Sequence, residues 1–330
     1  MLYFLARRLV SAVTVVAATL VATFALFFIA PTDPAGAICG ERKCTQQRLE
    51  DIQRSLHLDE PKVEQFAHYV QGLFVGRDFT ASGVVRHCGA PCLGYSFKND
   101  RNVLDMLSER FPVTVSLIAG AAVIMLTLGV FIGAMAAKRR GTLADKALVT
   151  TTLVISSIPY YIVALLIALY FTIYYEILPR GEWTPPTENP FKWVAGLITP
   201  WLVVGFVNTT NYSRYSRGSM VESLSEDYVR TARAKGLSDR KVTFKHALRA
   251  ALIPVVTIFG LDVAGMLAGA IFTERIFDLP GMGNLVLEAM GNYDLPVIMG
   301  TVLLSSIILV SMNFLVDVTY SLIDPRVRLS

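Results

Sequence analysis

Apolar residues run along this chain in long unbroken blocks, and polar residues are gathered between them. Six blocks are long enough to cross a bilayer, which takes roughly 20 residues as a helix. They fall near 9–30, 112–137, 147–174, 194–211, 250–273 and 297–323, the fourth being the shortest. The first follows "ARR", as a secretory signal would, but its apolar run exceeds the roughly 7–15 residues of a signal core. It is read as a retained helix. The pattern predicts an all-α membrane protein of six transmembrane helices. Its parts are an N-terminal end with the first span (1–30), a long polar insertion (31–111), and a core of five spans (112–330) with a polar loop at 212–249.

Composition agrees: 53% of the 330 residues are hydrophobic and 17% charged, against about 25% charged in a globular domain. The net charge of +4 is too small to suggest nucleic acid. Its distribution is more informative, because Lys and Arg stay on the cytoplasmic side of short loops. Arg7 and Arg8 precede the first span, "KRRGTLADK" links the second and third, and 212–249 holds nine bases and four acids. The third loop has two bases and three acids, and 274–296 has one base and four acids. Both termini are therefore placed in the cytoplasm, with segment 31–111 and loops three and five outside. Long loops such as 31–111 translocate largely regardless of charge.

That outer segment shows helical spacing twice, at Leu49, Ile52 and Leu56 and at Val63, Phe66, Tyr69, Val70 and Phe74. Two amphipathic helices are expected there, followed by an irregular stretch through "RDFTASGVVRHCGAPCLGYSF". The segment is either a platform for an outer partner or a cover over helix ends. All four cysteines, Cys39, Cys44, Cys88 and Cys92, lie in it. An even count confined to the oxidising side argues for disulfides, with three connectivities open. The C-x4-C and C-x3-C spacings do not match zinc knuckles, and no metal site is expected.

Residues 225–241, "SEDYVRTARAKGLSDRK", form the densest polar stretch. Ser225 is a candidate N-cap, Glu226 and Asp227 suit a helix N-terminus, and Arg230, Arg233 and Lys235 suit its end. Gly236 stands where a left-handed C-cap belongs. A helix over 226–235 is too short to persist alone, and it has no evident apolar stripe. It needs a docking partner. Ser238 then caps a helix that rises into the fifth span, with a kink expected near Pro254.

The stretch resembles the loop carrying the EAA motif in ABC-importer permeases of the dipeptide/oligopeptide class. Arg230 stands where that motif carries Glu, Thr231 replaces one Ala, and Gly236 matches. Similar pieces run through the chain: "APTDPA" with Thr32 for the usual Gly, "LHLDEP" with His57 for Gly, "ERFPVTVSL", "HALRAALIPVVT" with Ala250 for Asn, "FDLPGMGNLVLEAM" and "NFLVDVTYSLIDPRVR". The cysteine-bearing segments look like insertions.

The resemblance implies the type I importer permease fold in the plasma (inner) membrane. It also implies partners: a second homologous permease subunit, two cytoplasmic ABC ATPase domains that bind ATP and Mg, and an extracytoplasmic peptide-binding protein. No P-loop pattern G-x-x-x-x-G-K-[ST] occurs in the chain, so the permease itself is expected to carry neither cofactor nor catalytic residues. In this reading Glu226, Asp227, Tyr228, Val229, Arg230, Thr231, Ala232, Arg233, Ala234, Lys235 and Gly236 form the coupling helix. Tyr228, Val229 and Ala232 would insert into an ATPase groove, with the three bases at its acidic rim. Gly265 and Gly269 would line the pathway or pack helices. Asp262, a carboxylate inside a span, is a functional candidate by default and would meet a peptide amine; Asp317 reads as structural. Nickel, glutathione or another small solute are alternative cargoes. A secondary transporter would show inverted repeats and paired intramembrane acids, which are not evident.

Overall fold

A computed structural model describes residues 2–29, 34–39, 45–81 and 84–323. Thr32, Cys44 and the terminal "DPRVRLS" lie outside the described residues. The chain divides into two compact units, Met1–Pro112 with Pro280–Phe314, and Val113–Leu279 with Leu315–Ser330. The units are discontinuous in sequence, so they group the segments differently from the sequential blocks expected above.

In the first unit, α1 (Leu2–Phe24) ends in a π-helical turn, Ala25–Ile29. Three short helices follow: α2 (Pro34–Cys39), α3 (Gln46–Ser55) and α4 (Lys62–Val75). Thr45 caps α3 by accepting the Arg48 amide at 3.3 Å. The two expected amphipathic helices are present, and they bury Ile52, Tyr69 and Leu73. Their burial is one-sided: Val63 and Phe74 of α4 are exposed. The stretch expected to be irregular instead pairs into two antiparallel ribbons, β1 (Arg77–Ala81) with β2 (Val84–Cys88), and β3 (Tyr95–Ser96) with β4 (Arg101–Asn102). An entirely helical chain was the expectation; the β-branched and aromatic residues here favour strands. Cys88 and Cys92 are joined by a disulfide, and Cys39 is also disulfide-bonded.

The first-unit core is aromatic. Phe24 stacks on Phe28 with ring centroids 4.9 Å apart, and Phe79 lies 5.6 Å from Tyr95. Arg77 rests over Phe79 at 4.7 Å, and burial lowers its pKa to about 10. α12 (Met282–Gly291) and α13 (Leu295–Ile323) add Met282, Leu285, Ala289, Val297 and Met299 to the same core. α12 covers most of the "FDLPGMGNLVLEAM" stretch, and its Met290 is exposed. Asp294 precedes α13 and is buried. Ser96 and Asn99 donate to its Oδ2.

The second unit holds most of α5 (Val103–Lys138), then α6 (Leu143–Ser157), α7 (Tyr160–Ile167) with the π-helical Ala168–Tyr174, α8 (Pro190–Ser225), α9 (Asp227–Ala234), α10 (Asp239–Lys241), a π-helical Val242–Ala247, and α11 (Leu248–Ile276). Two span expectations change here. The third block is not one rod: it breaks at Ile158–Pro159 with a bend of 87°, because a proline disfavours helical backbone in the residue before it. The fourth block is not the shortest. Its helix runs 36 residues and carries into the polar loop. Among the described residues, five helices are long and apolar enough to cross a membrane, or six if the bent pair is one span.

α5 and α8 approach through glycine. A Cβ on Gly133 would sit 2.5 Å from Ser213 O, one on Gly129 would sit 2.6 Å from Tyr212 Cβ, and one on Gly120 would strike the Trp201 ring. Small residues let helix backbones close on one another within a membrane. Asp145, at the start of α6, is tied to Arg217 of α8 by two bonds of 2.5 and 2.7 Å and accepts the Gly141 amide at 2.9 Å.

Candidate functional site

Two features of the second unit coincide with residues singled out from sequence. The first is α9. Glu226, not Ser225, is its N-cap; Ser225 ends α8 and donates to Glu222 O at 2.6 Å. Gly236 has φ of 76°, as a left-handed C-cap requires, and a Cβ there would meet nothing.

The expectation that Val229 and Ala232 dock into a partner is overturned. At 0% and 7% exposure they are buried in this chain's own core, with Ala134 and Ala137 of α5, Met220 of α8, and Val242, Ala247 and Ala251. The helix therefore does have an apolar stripe, two residues at i, i+3, and it is spent internally. Two small side chains in a polar helix carry too little periodic signal to be noticed in sequence. The face left open carries Glu226, Asp227, Arg230, Thr231, Arg233, Ala234 and Lys235, with Tyr228 half-exposed.

Hydrogen bonds bind α9 to its neighbours. Ser223 Oγ of α8 donates to Ala247 O at 2.8 Å, which leaves it to accept from Tyr228 OH at 2.7 Å. One serine thus connects α8, α9 and the turn that opens α11. Lys138, the last residue of α5, meets Asp239 of α10 at 2.5 Å. Pro254 lies inside a continuous α11, and the irregularity expected there sits earlier, in the π-helical Val242–Ala247.

The second feature is a cavity of about 460 Å³. Its walls come from α5, the α6–α7 break, α8 and α11. Asp262 and Gly265 line it, as do Asn208, Asn211, Tyr212, Tyr215 and Thr273. Tyr212 OH donates to Asp262 Oδ2 at 2.9 Å, and the Tyr212 ring sits edge-on to Tyr215, centroids 6.0 Å apart. No neighbour approaches the position a Gly265 Cβ would take, so this glycine widens the cavity and does not close a helix pair. Gly269 lies in α11, and its side-chain environment, like that of Asp317, is outside the described residues.

Sequence reasoning missed the α8 half of this wall: it ended the fourth span at residue 211, short of Tyr212 and Tyr215, and singled out neither Asn208 nor Asn211 within it. The signal was present: Asn208, Asn211, Tyr212 and Tyr215 recur at helical spacing. It also placed Glu274 in an outer loop. Glu274 is in the last turn of α11, fully buried, and accepts from Thr114 Oγ1 at 2.6 Å. Chemically, the cavity offers one carboxylate, two side-chain amides and phenol hydroxyls between apolar walls. That set suits a small polar solute with a cationic group and amide hydrogen-bonding groups.

Residues 129–329 match the family described as "Binding-protein-dependent transport system inner membrane component", and residues 1–118 match its N-terminal companion. A probable peptide ABC transporter permease of Sinorhizobium fredii is 37% identical over 98% of this chain and 99% of its own. A dipeptide transport system permease of Bacillus subtilis is 36% identical over 99% and 98%, and one of Escherichia coli is 33% identical over 99% of both.

Proposed function

This chain belongs to the family of inner-membrane components of binding-protein-dependent transport systems, and from that premise we propose that it is the permease subunit of an ATP-driven importer of dipeptides and short oligopeptides. The observation that carries the reading is end-to-end similarity to permeases named for peptides. As a permease subunit the chain is a transport component and not itself an enzyme. It would form half of the pathway beside a homologous second subunit, receive peptide from an extracytoplasmic binding protein, and borrow ATP and Mg chemistry from two cytoplasmic ATPase domains.

In this proposal the open face of α9 is what the ATPase grips. Arg230, Arg233 and Lys235 meet acidic residues there, while Val229 and Ala232 pin the helix to its own permease. Motion of α9 passes through Ser223 and the Gly236 hinge into α11, which bears Asp262. The cavity is then the part of the pathway that this chain contributes, with Asp262 available to a peptide amine. Segment 31–111 faces outward, where the bond between Cys88 and Cys92 persists.

The test is reconstitution with the second permease, the ATPases and the binding protein in vesicles. ATP-dependent uptake of a labelled dipeptide is expected, and Asp262→Asn should lower it by about tenfold, the effect of removing one charge-assisted hydrogen bond from a desolvated site. ATP-driven uptake of another solute that dipeptides fail to compete would overturn the peptide assignment.

A further inference from the structure

Between α3 and α4 the chain makes a tight turn that collects three side chains able to bind metal. His57 has φ of 54°, in the left-handed region where a residue with a Cβ is strained and glycine is not. The resembled Gly-Leu-Asp-x-Pro pattern carries glycine at this place. Here the strain sets an imidazole against a carboxylate: His57 Nδ1 lies 2.9 Å from Glu60 Oε1. His68, two turns into α4, brings Nε2 to 3.2 Å from the other oxygen, Glu60 Oε2. The two imidazole rings stack with centroids 4.6 Å apart. One ligand atom from each residue lies within 4.8 Å of the other two.

We propose that His57, Glu60 and His68 form a binding site for a divalent transition cation of the zinc class. Two imidazole nitrogens and a carboxylate oxygen are the borderline donors such ions select. Bonds of about 2.0–2.1 Å in tetrahedral geometry put ligand atoms about 3.3 Å apart; the two His–Glu separations are 2.9 and 3.2 Å, to opposite carboxylate oxygens, and the whole set lies within 4.8 Å. Glu60 Oε2 is buried, yet no hydrogen bond of good geometry satisfies it. His68 Nε2, 3.2 Å away, is not aligned to hydrogen-bond it; a carboxylate oxygen so placed is costly to bury, and a cation between the two removes that cost. The turn is held in shape from behind: the buried Gln65 donates its Nε2 to the carbonyls of Leu58 and Glu60, at 3.1 and 2.7 Å. Support of this kind orients ligands in built metal sites. Both histidines are about half exposed, so an ion has a way in, and three protein ligands leave a fourth position for water.

The experiment titrates Zn2+ into the purified full chain in lipid nanodiscs, with any free thiols alkylated, in competition with a chromophoric chelator. One Zn2+ per chain is expected. Glu60→Gln, His68→Gln and His57→Gly should each weaken binding by about tenfold or more. His57→Gly is the informative variant, since glycine keeps the turn and removes the imidazole; a thermal melt without metal no lower than the parent's verifies that the turn is intact. His87→Gln, whose imidazole pairs with Asp78 on the β1–β2 ribbon, should bind as the parent does. Absence of stoichiometric Zn2+ binding, or a His57→Gly, His68→Gln double variant that binds as tightly as the parent, overturns the proposal.

Discussion

Single residues in this chain act mainly by where their charge is held. Asp294 illustrates this. Burial raises its carboxyl pKa above the ordinary value of 3.8, although bonds from Ser96, the Val297 amide and Asn99, with Lys98 nearby, act in the opposite sense. A carboxyl that binds its proton more tightly when folded contributes most at pH below its unfolded value. The contribution falls as pH rises through the folded-state value. Asp294→Asn cannot ionise, so its melting temperature is expected to match that of the parent near pH 4 and to exceed it at pH 8. Parallel melts that stay a constant interval apart across that range would contradict the assignment. Asp294 was legible in sequence only as one of four acids in a loop; its burial follows from the return of loop 96–99, which Ser96 reaches across 198 positions of chain.

At the scale of elements, α9 separates what a helix needs to stay attached from what it presents. Val229→Asp places an unpaired charge among Ala134, Met220 and Val242, and is expected to cost about 3 kcal/mol, visible as a lower melting temperature of the permease alone. Arg233→Glu lies on the open face and should leave stability within about 0.5 kcal/mol of the parent. It should nevertheless abolish stimulation of the ATPase by the assembled permease. If the two variants exchange these phenotypes, the inner and outer faces have been misassigned. The ends of α9 were readable from its capping residues, to within one position at Ser225. Its buried face was not, because alanine and valine at i, i+3 acquire meaning only when α5, α8 and α11 surround them.

On the scale of the whole molecule, loop charge sets orientation. With the native cysteines replaced, a cysteine introduced at Lys235 should react with an impermeant thiol reagent only after the membrane is opened. One at Thr187 should react in intact cells. The reverse pattern would invert the proposed topology and, with it, the side on which the ATPase docks. The apolar blocks read as six spans, and among the described residues five helices, or six if the bent pair is one span, are long and apolar enough to cross. The blocks did not reveal the bend at Pro159 or the 36-residue reach of α8, because hydropathy averages over a window and is blind to direction.

By itself, then, the sequence determined the membrane class, the family and the capped polar helix, and it is the source of the sidedness proposed here. Each of these is written in local composition: runs of apolar residues, counts of Lys and Arg, and the chemistry of helix ends. Only tertiary structure decided that Val229 and Ala232 face inward and that Asn208, Asn211 and Tyr212 share a cavity with Asp262. It also decided that His57 and His68 meet across Glu60. Those arrangements depend on which helix faces turn toward one another, and that is settled by packing between distant segments.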